Sequence, residues 1–204
     1  MAGSDVKAVT ITADTVAADD DGISTNAAVG NNAALTIGGA LADSGSVTLS
    51  HARKVTVTSA GDDSSKSFTI VGTDVNGDSQ TESLTGANAG VATSTNYFLT
   101  IASITAVGNP AGNVKAGISA DAADVVFAGR TRLKGAFLSS TATAGTIDFL
   151  TTSPVGTSQL KLRSVASATA TRDVTIPNEG VVFESGIFLQ YTVSTFLLMT
   201  VFHA

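Results

Sequence analysis

The chain has 204 residues, enough for one large domain or two small ones, and its 29 Thr, 22 Ser and 20 Gly beside only 14% charged residues favour strands and tight turns over helices. It has no Cys, which excludes a disulfide framework, a thiolate metal site and a thiol nucleophile. The net charge of −6 is uneven, with 5 basic and 13 acidic groups in residues 1–129 against 6 basic and 4 acidic in 130–204, a balance that argues against a nucleic-acid partner.

In chain order, the amino-terminal sequence has no basic region followed by an apolar run, so synthesis in a cytoplasm is expected. Residues 1–50 are dominated by small residues and turn formers such as Gly30-Asn31-Asn32 and Gly38-Gly39. They predict short strands or an extended arm that borrows stability from a neighbour.

Residues 51–129 predict a compact antiparallel domain. Val55-Thr56-Val57-Thr58 alternates, a Gly-Asp-Asp turn follows, and Phe68 to Val75 alternates again. Asn76-Gly77 then tolerates the positive φ angles of a two-residue type I′ hairpin turn. Pairing about it puts Phe68, Ile70, Gly72 and Asp74 on one face and Thr69, Val71, Thr73 and Val75 on the other. Asp78 to Thr85 returns, Tyr97 to Ile101 and Ile104 to Val107 are further strands, and Val114 to Ile118 is a short last one. Residues 119–129 are compatible with a brief helix or a linker strand.

Residues 130–204 predict seven strands: Leu133 to Ser139, Gly145 to Leu150, Leu160 to Val165, Arg172 to Ile176, Val181 to Phe183, Ile187 to Val193 and Phe196 to Phe202. Short strands at this spacing, broken by Gly, Pro and Ser, read as a β-sandwich or jelly roll. The fold class is therefore all-β: two small antiparallel domains with an amino-terminal arm. The apolar stretch ending at Phe202 is too short and too interrupted to cross a membrane as a helix.

Chemistry-bearing constellations are sparse. Ser-His-Asp catalysis needs a His near a nucleophile motif, and His51 and His203 sit in none. Glu82, Glu179 and Glu184 are the only glutamates, too few and too poorly flanked by aromatics for a glycosidase cleft. Asp74-x-Asn76-x-Asp78 with Glu82 resembles part of a calcium loop, but Gly77 and Glu82 stand at the wrong places and a hairpin explains Asn76-Gly77 already. Asp19-Asp20-Asp21 reads as a solvated turn, and no Gly-rich phosphate loop is present. No enzyme activity, cofactor or metal is expected.

The stretches Val55-Thr-Val-Thr-Ser-Ala-Gly-Asp-Asp63, Phe68 to Gly77, Thr81 to Gly90, Asn96-Tyr-Phe98 and Ile101 to Thr105 resemble the β-rich module of tailed-bacteriophage virion proteins. Gly180-Val-Val-Phe-Glu-Ser-Gly-Ile-Phe188 and Thr200 to Phe202 resemble the closing strands of the β-sandwich in similar proteins, although Val193-Ser194-Thr195 stands where that family's last turn has Gly-Thr. The resemblance implies a structural role in a virion after synthesis in a host cytoplasm. A capsid decoration or cement protein bound to the major capsid protein is the first expectation, and a tail, fibre or adaptor component the second. A glycan-binding adhesin is a third reading, for which Tyr97 and Tyr191 are the available aromatic platforms.

Independently of that resemblance, the last two strands, read as a closing hairpin, carry apolar groups on both faces, whereas a sandwich buries only one face of each sheet. Ile187, Phe188, Leu189, Tyr191, Phe196, Leu198, Met199 and Phe202 are accordingly the expected assembly interface of a homo-oligomer, with a trimer favoured. The competing reading is that these are fully buried central strands. Neither nucleic acid nor membrane is expected as a partner.

Overall fold

A computed structural model describes residues 5–165 and 169–204. The chain is all-β, and its described residues divide into two compact units: one built from 5–16 with 121–165 and 169–204, the other from 17–120. The amino-terminal segment is therefore shared between the units and does not form an arm, and the division differs from the expected 1–50, 51–129 and 130–204.

The first unit is a β-sandwich. One sheet runs in the order β1 (Lys7–Thr12), β15 (Phe196–His203), β9 (Thr131–Ser140) and β12 (Ala170–Thr175), with β13 (Val181–Phe183) also on β9. Opposite it lie β11 (Thr157–Ser164), β10 (Gly145–Thr151), β14 (Ile187–Thr192) and the second half of β8 (Val114–Phe127). Alternate residues from both layers form the core, among them Leu133, Leu138, Met199 and Val201 from the first and Ile147, Phe149, Leu189 and Tyr191 from the second. All seven strands expected in 130–204 are present within a few residues of the predicted bounds.

One expectation for this unit is corrected. β14 and β15 are not a hairpin: β14 pairs with β10 and β8, while β15 pairs with β1 and β9. The connection through Ser194, which takes a left-handed φ of 62°, carries the chain from one layer to the other. Of the brief helix and the linker strand left open for residues 119–129, the strand is present, with 119–127 continuing β8.

The second unit contains β2 (Asp19–Ala27), β3 (Ala42–Asp43), β4 (Ser46–Ser59), β5 (Ser67–Thr73), β6 (Ser79–Thr85), β7 (Val91–Val107) and the first half of β8. Its strands run in the order β2, β8, β4, β7, β5, β6, with β3 on β4. The two strands expected at 97–101 and 104–107 are one 17-residue strand, β7. Register shifts in the β4 and β5 ladders bend β7, so a single alternation count cannot follow it. Phe68, Ile70, Phe98, Ile101 and Ile104 fill the core, and Ile23, Leu35 and Val47 from the small-residue segment pack with them. Close approach explains the glycines there: a Cβ on Gly39 would collide with the backbone of Asp21 and Gly22. Arg53 is wholly buried in this unit and donates from Nε to the Ser119 carbonyl at 3.1 Å.

Phe68, Ile70 and Gly72 face inward and Val71 outward, as alternation predicts, but the turn after them differs. Thr73 pairs with Ser79, one position away from the register of a two-residue turn, and only Gly77 has positive φ, at 87°. The Asp74 N–H donates to the Asp78 carbonyl at 2.8 Å and the Gly77 N–H to the Asp74 carbonyl at 3.1 Å. This is a three-residue loop closed by a left-handed glycine. The two-residue type I′ turn lies instead at Ser44-Gly45, both at positive φ, between the paired Ala42-Asp43 and Ser46-Val47.

Candidate functional site

The expected interface residues divide by burial. Ile187, Leu189, Tyr191, Phe196 and Met199 are buried in the sandwich core, and Phe188, which points to the other side of β14, is buried as well. Only Leu198 and Phe202 retain accessible surface. They lie on the outward face of the β1-β15-β9-β12 sheet, whose composition is unlike that of ordinary protein surface.

Three cross-strand rows make up that face. Thr12, Leu198, Ser139 and Thr171 form the first, Thr10, Thr200, Phe137 and Asp173 the second, and Ala8, Phe202, Gly135 and Thr175 the third. The hydroxyls of Thr10 and Thr200 meet at 3.0 Å across the second row. Asp173 is the one charged side chain among these twelve positions. Phe137 is 38% exposed in the middle of the face, and Leu197, 56% exposed, stands at its end. Leu197 is there because a bulge between Phe196 and Leu198 inserts an extra residue opposite Ser139-Ser140, turning two consecutive leucines outward. A groove of about 280 Å³ runs beside it, lined by Ser139, Thr169, Ala170, Thr171 and Leu197. Phe137 and Leu197 were not among the expected interface residues. The signal for Phe137 was its parity within Leu133 to Ser139, and nothing local announces the bulge.

At one end of the face, Arg132 and Lys134 both donate to the Glu179 carbonyl oxygen, at 3.4 and 3.0 Å, and the Glu179 carboxylate lies 3.7 Å from Lys134 Nζ. Two cations thus share one carbonyl oxygen while the single carboxylate pairs with Lys134, which leaves that end net positive.

The other candidate groups are engaged in holding the fold. Asp74 Oδ1 accepts from the N–H groups of Asn76 and Asp78, at 2.8 and 2.9 Å, and the Asn76 side-chain amide donates to Asp74 Oδ2 at 3.3 Å. Glu82 lies away from that loop, accepting the N–H groups of Thr95 and Asn96 at 2.7 and 3.0 Å. The four residues of the calcium-like pattern therefore do not converge. Asp19, Asp20 and Asp21 open strand β2 and do not form a turn; their carboxylates can approach one another, and Lys115 pairs with Asp20, which raises the lysine pKa.

His203 is buried and stacks on Phe127 with ring centroids 5.0 Å apart. The Thr131 hydroxyl gives its single proton to the main-chain oxygen of Ala204 at 3.0 Å, so His203 Nδ1, 3.1 Å from the Thr131 hydroxyl oxygen, donates to that hydroxyl. Burial lowers the imidazole pKa, and the positive charge of Lys7 adds to this. His51 lies on β4 in the other unit.

Tyr97 and Tyr191 are both about 2% exposed, so neither offers a stacking platform. The Tyr97 ring lies beneath Lys54, with Nζ 5.3 Å from its centroid. The Tyr191 hydroxyl donates to Asp124 Oδ2 at 2.8 Å and accepts the Asp14 N–H at 3.3 Å. Burial raises its pKa strongly, with the Asp124 charge adding. A polar groove of about 380 Å³ nearby contains Asp148 and Lys161, but these are already paired at 2.7 Å, with the Ser158 hydroxyl donating to the same carboxylate. Glu179 and Glu184 are exposed and pair with Lys134 and Arg130.

The chain matches no protein-family model, no curated protein and no solved structure.

Proposed function

We propose that this chain is a structural protein that works by packing into a larger assembly, and that the assembly is the virion of a tailed bacteriophage, with the chain decorating the capsid shell. The observation that carries the assembly reading is the outward face of the first unit's β1-β15-β9-β12 sheet, where one of twelve side chains is charged and Phe137 and Leu197 are exposed. Solvated sheet faces alternate apolar-in with polar or charged-out. A charge-poor face with exposed phenylalanine and leucine suits a partner surface, since interface centres are depleted of charge and enriched in aromatics. The virion assignment is supported by the resemblance of the stretches from Val55 to Thr105 and from Gly180 to Phe188.

Quantitative mass spectrometry of purified particles from cells making this chain tests the proposal. Copy numbers comparable to those of the shell subunit are expected. A few copies per particle would move the chain to the tail, and its absence from particles would overturn the virion reading.

A further inference from the structure

We propose that the outward face of the β1-β15-β9-β12 sheet is a self-association surface, and that its occupant is the same face of a second copy related by a two-fold axis. The inference deepens the assembly reading by naming a partner.

The first argument is charge. Of the net −6, the unit 17–120 carries 4 basic and 9 acidic groups, whereas the sandwich unit carries 7 basic and 8 acidic. Two copies repel through the former and approach most easily through the latter, and within the sandwich this sheet face has the fewest charges to desolvate. A second copy is therefore a better occupant than a charged partner, which would strand its charges against threonine and phenylalanine.

The second argument is self-complementarity. The face carries one acid, Asp173, opposite Phe137 in the second row, while the net positive Arg132-Lys134 end lies three to five residues along β9 from Phe137. At about 3.3 Å per residue, Asp173 and Lys134 are offset by roughly 10 Å along the strands. A two-fold axis between the copies sets Asp173 of each against Lys134 of the other, as an isologous interface requires. Both contacts are opposite-charge ones, and Phe137 lies between them.

The third argument is area. Four strands at about 4.8 Å and six residues at about 3.4 Å span roughly 19 by 20 Å, or about 400 Å² per copy. A standard stable interface buries about 800 Å² per partner, so this contact is concentration-dependent and suits copies gathered side by side in an assembly.

Sedimentation velocity on the full chain from about 10 µM to about 1 mM, the range in which an interface of this size associates, tests the proposal. A monomer–dimer equilibrium is expected. Phe137→Thr should weaken it at least tenfold while the chain still unfolds cooperatively in urea, because Phe137 is already part-exposed and threonine suits a strand. Asp173→Lys should also weaken it, and adding Lys134→Asp should recover most of the loss. Monomer throughout the range, a trimer in place of a dimer, or no recovery in the double variant would overturn the proposal. Failure of self-association while the chain still incorporates into particles would sink this inference alone and leave the assembly reading standing.

Discussion

The Asp74 loop separates a hairpin from a metal site by a single substitution. In the structure Asp74 Oδ1 accepts two backbone N–H groups, those of Asn76 and Asp78. Asp74→Ala removes both bonds from an exposed loop that water can reach, at a cost of roughly 1–2 kcal/mol. Asp74→Asn keeps a carbonyl oxygen in the same place and costs less than about 0.5 kcal/mol, whereas a calcium site would lose a charged ligand. Gly77→Ala meets no neighbouring atom but must adopt a φ of 87°, for about 1 kcal/mol. For a chain of this size 1 kcal/mol moves Tm by about 2–4 °C, so Ala at position 74 should lower it by roughly 2–8 °C and Asn by no more than about 2 °C. Thermal unfolding of each variant with excess chelator and with added calcium is the assay. Coincident curves in the two solutions are expected. A wild-type Tm raised by calcium, with the rise abolished in Asp74→Asn, would refute the turn reading.

Three further outcomes follow from buried groups. Gly72→Ala drives a Cβ into the Thr100 carbonyl oxygen at the register shift between β5 and β7, so it should cost more than about 3 kcal/mol by urea unfolding, or abolish soluble expression. Tyr191→Phe takes a donor from Asp124 and an acceptor from the Asp14 N–H, for a loss of about 1–3 kcal/mol in the same assay. Because the folded state holds the His203 pKa below its ordinary 6.5, the unfolded chain takes up that proton first. Above about pH 6.5 the residue contributes nothing to the pH dependence, and as pH falls from there through the folded pKa stability is lost. His203→Gln should flatten that part of the profile of urea midpoint against pH; an unchanged slope would show that His203 is not its source.

Local pattern and its limits account for what could be read in advance. Strands in 145–203 were legible because each is short, rich in β-branched or apolar residues, and set off by nearby Gly, Pro or Ser. β7 was not, because the bend that its register shifts produce interrupts the alternation of a continuous strand. The segment before Ser46 reads as poor in large side chains, yet its Gly22 and Gly39 let backbones touch and bring Ile23 and Leu35 into a core. Alternation reports which face a residue occupies and never which strand lies beside it. For that reason the two terminal strands, adjacent in sequence and joined by a short turn, looked like a hairpin when they in fact belong to opposite layers.

The same limit moved the candidate surface. A strand with apolar groups on both sides is ambiguous: either a partner chain covers its second face, or it sits in the middle of a folded unit. β14 takes the second course, with Ile187, Phe188, Leu189 and Tyr191 all buried in the chain. β15 takes both, because its inward set, Phe196, Met199 and Val201, fills the sandwich while Leu198 and Phe202 remain outside. What makes the outside of β15 more than an edge of leftover apolar residues is its neighbours. β9 contributes Phe137, β1 and β12 contribute threonines, and the bulge adds Leu197. Each of these is unremarkable within its own strand, and only pairing places them in adjoining rows. An interface search by hydrophobic content alone therefore selects the core strand first, whereas counting charges across paired strands selects the face that water and a second copy can both reach.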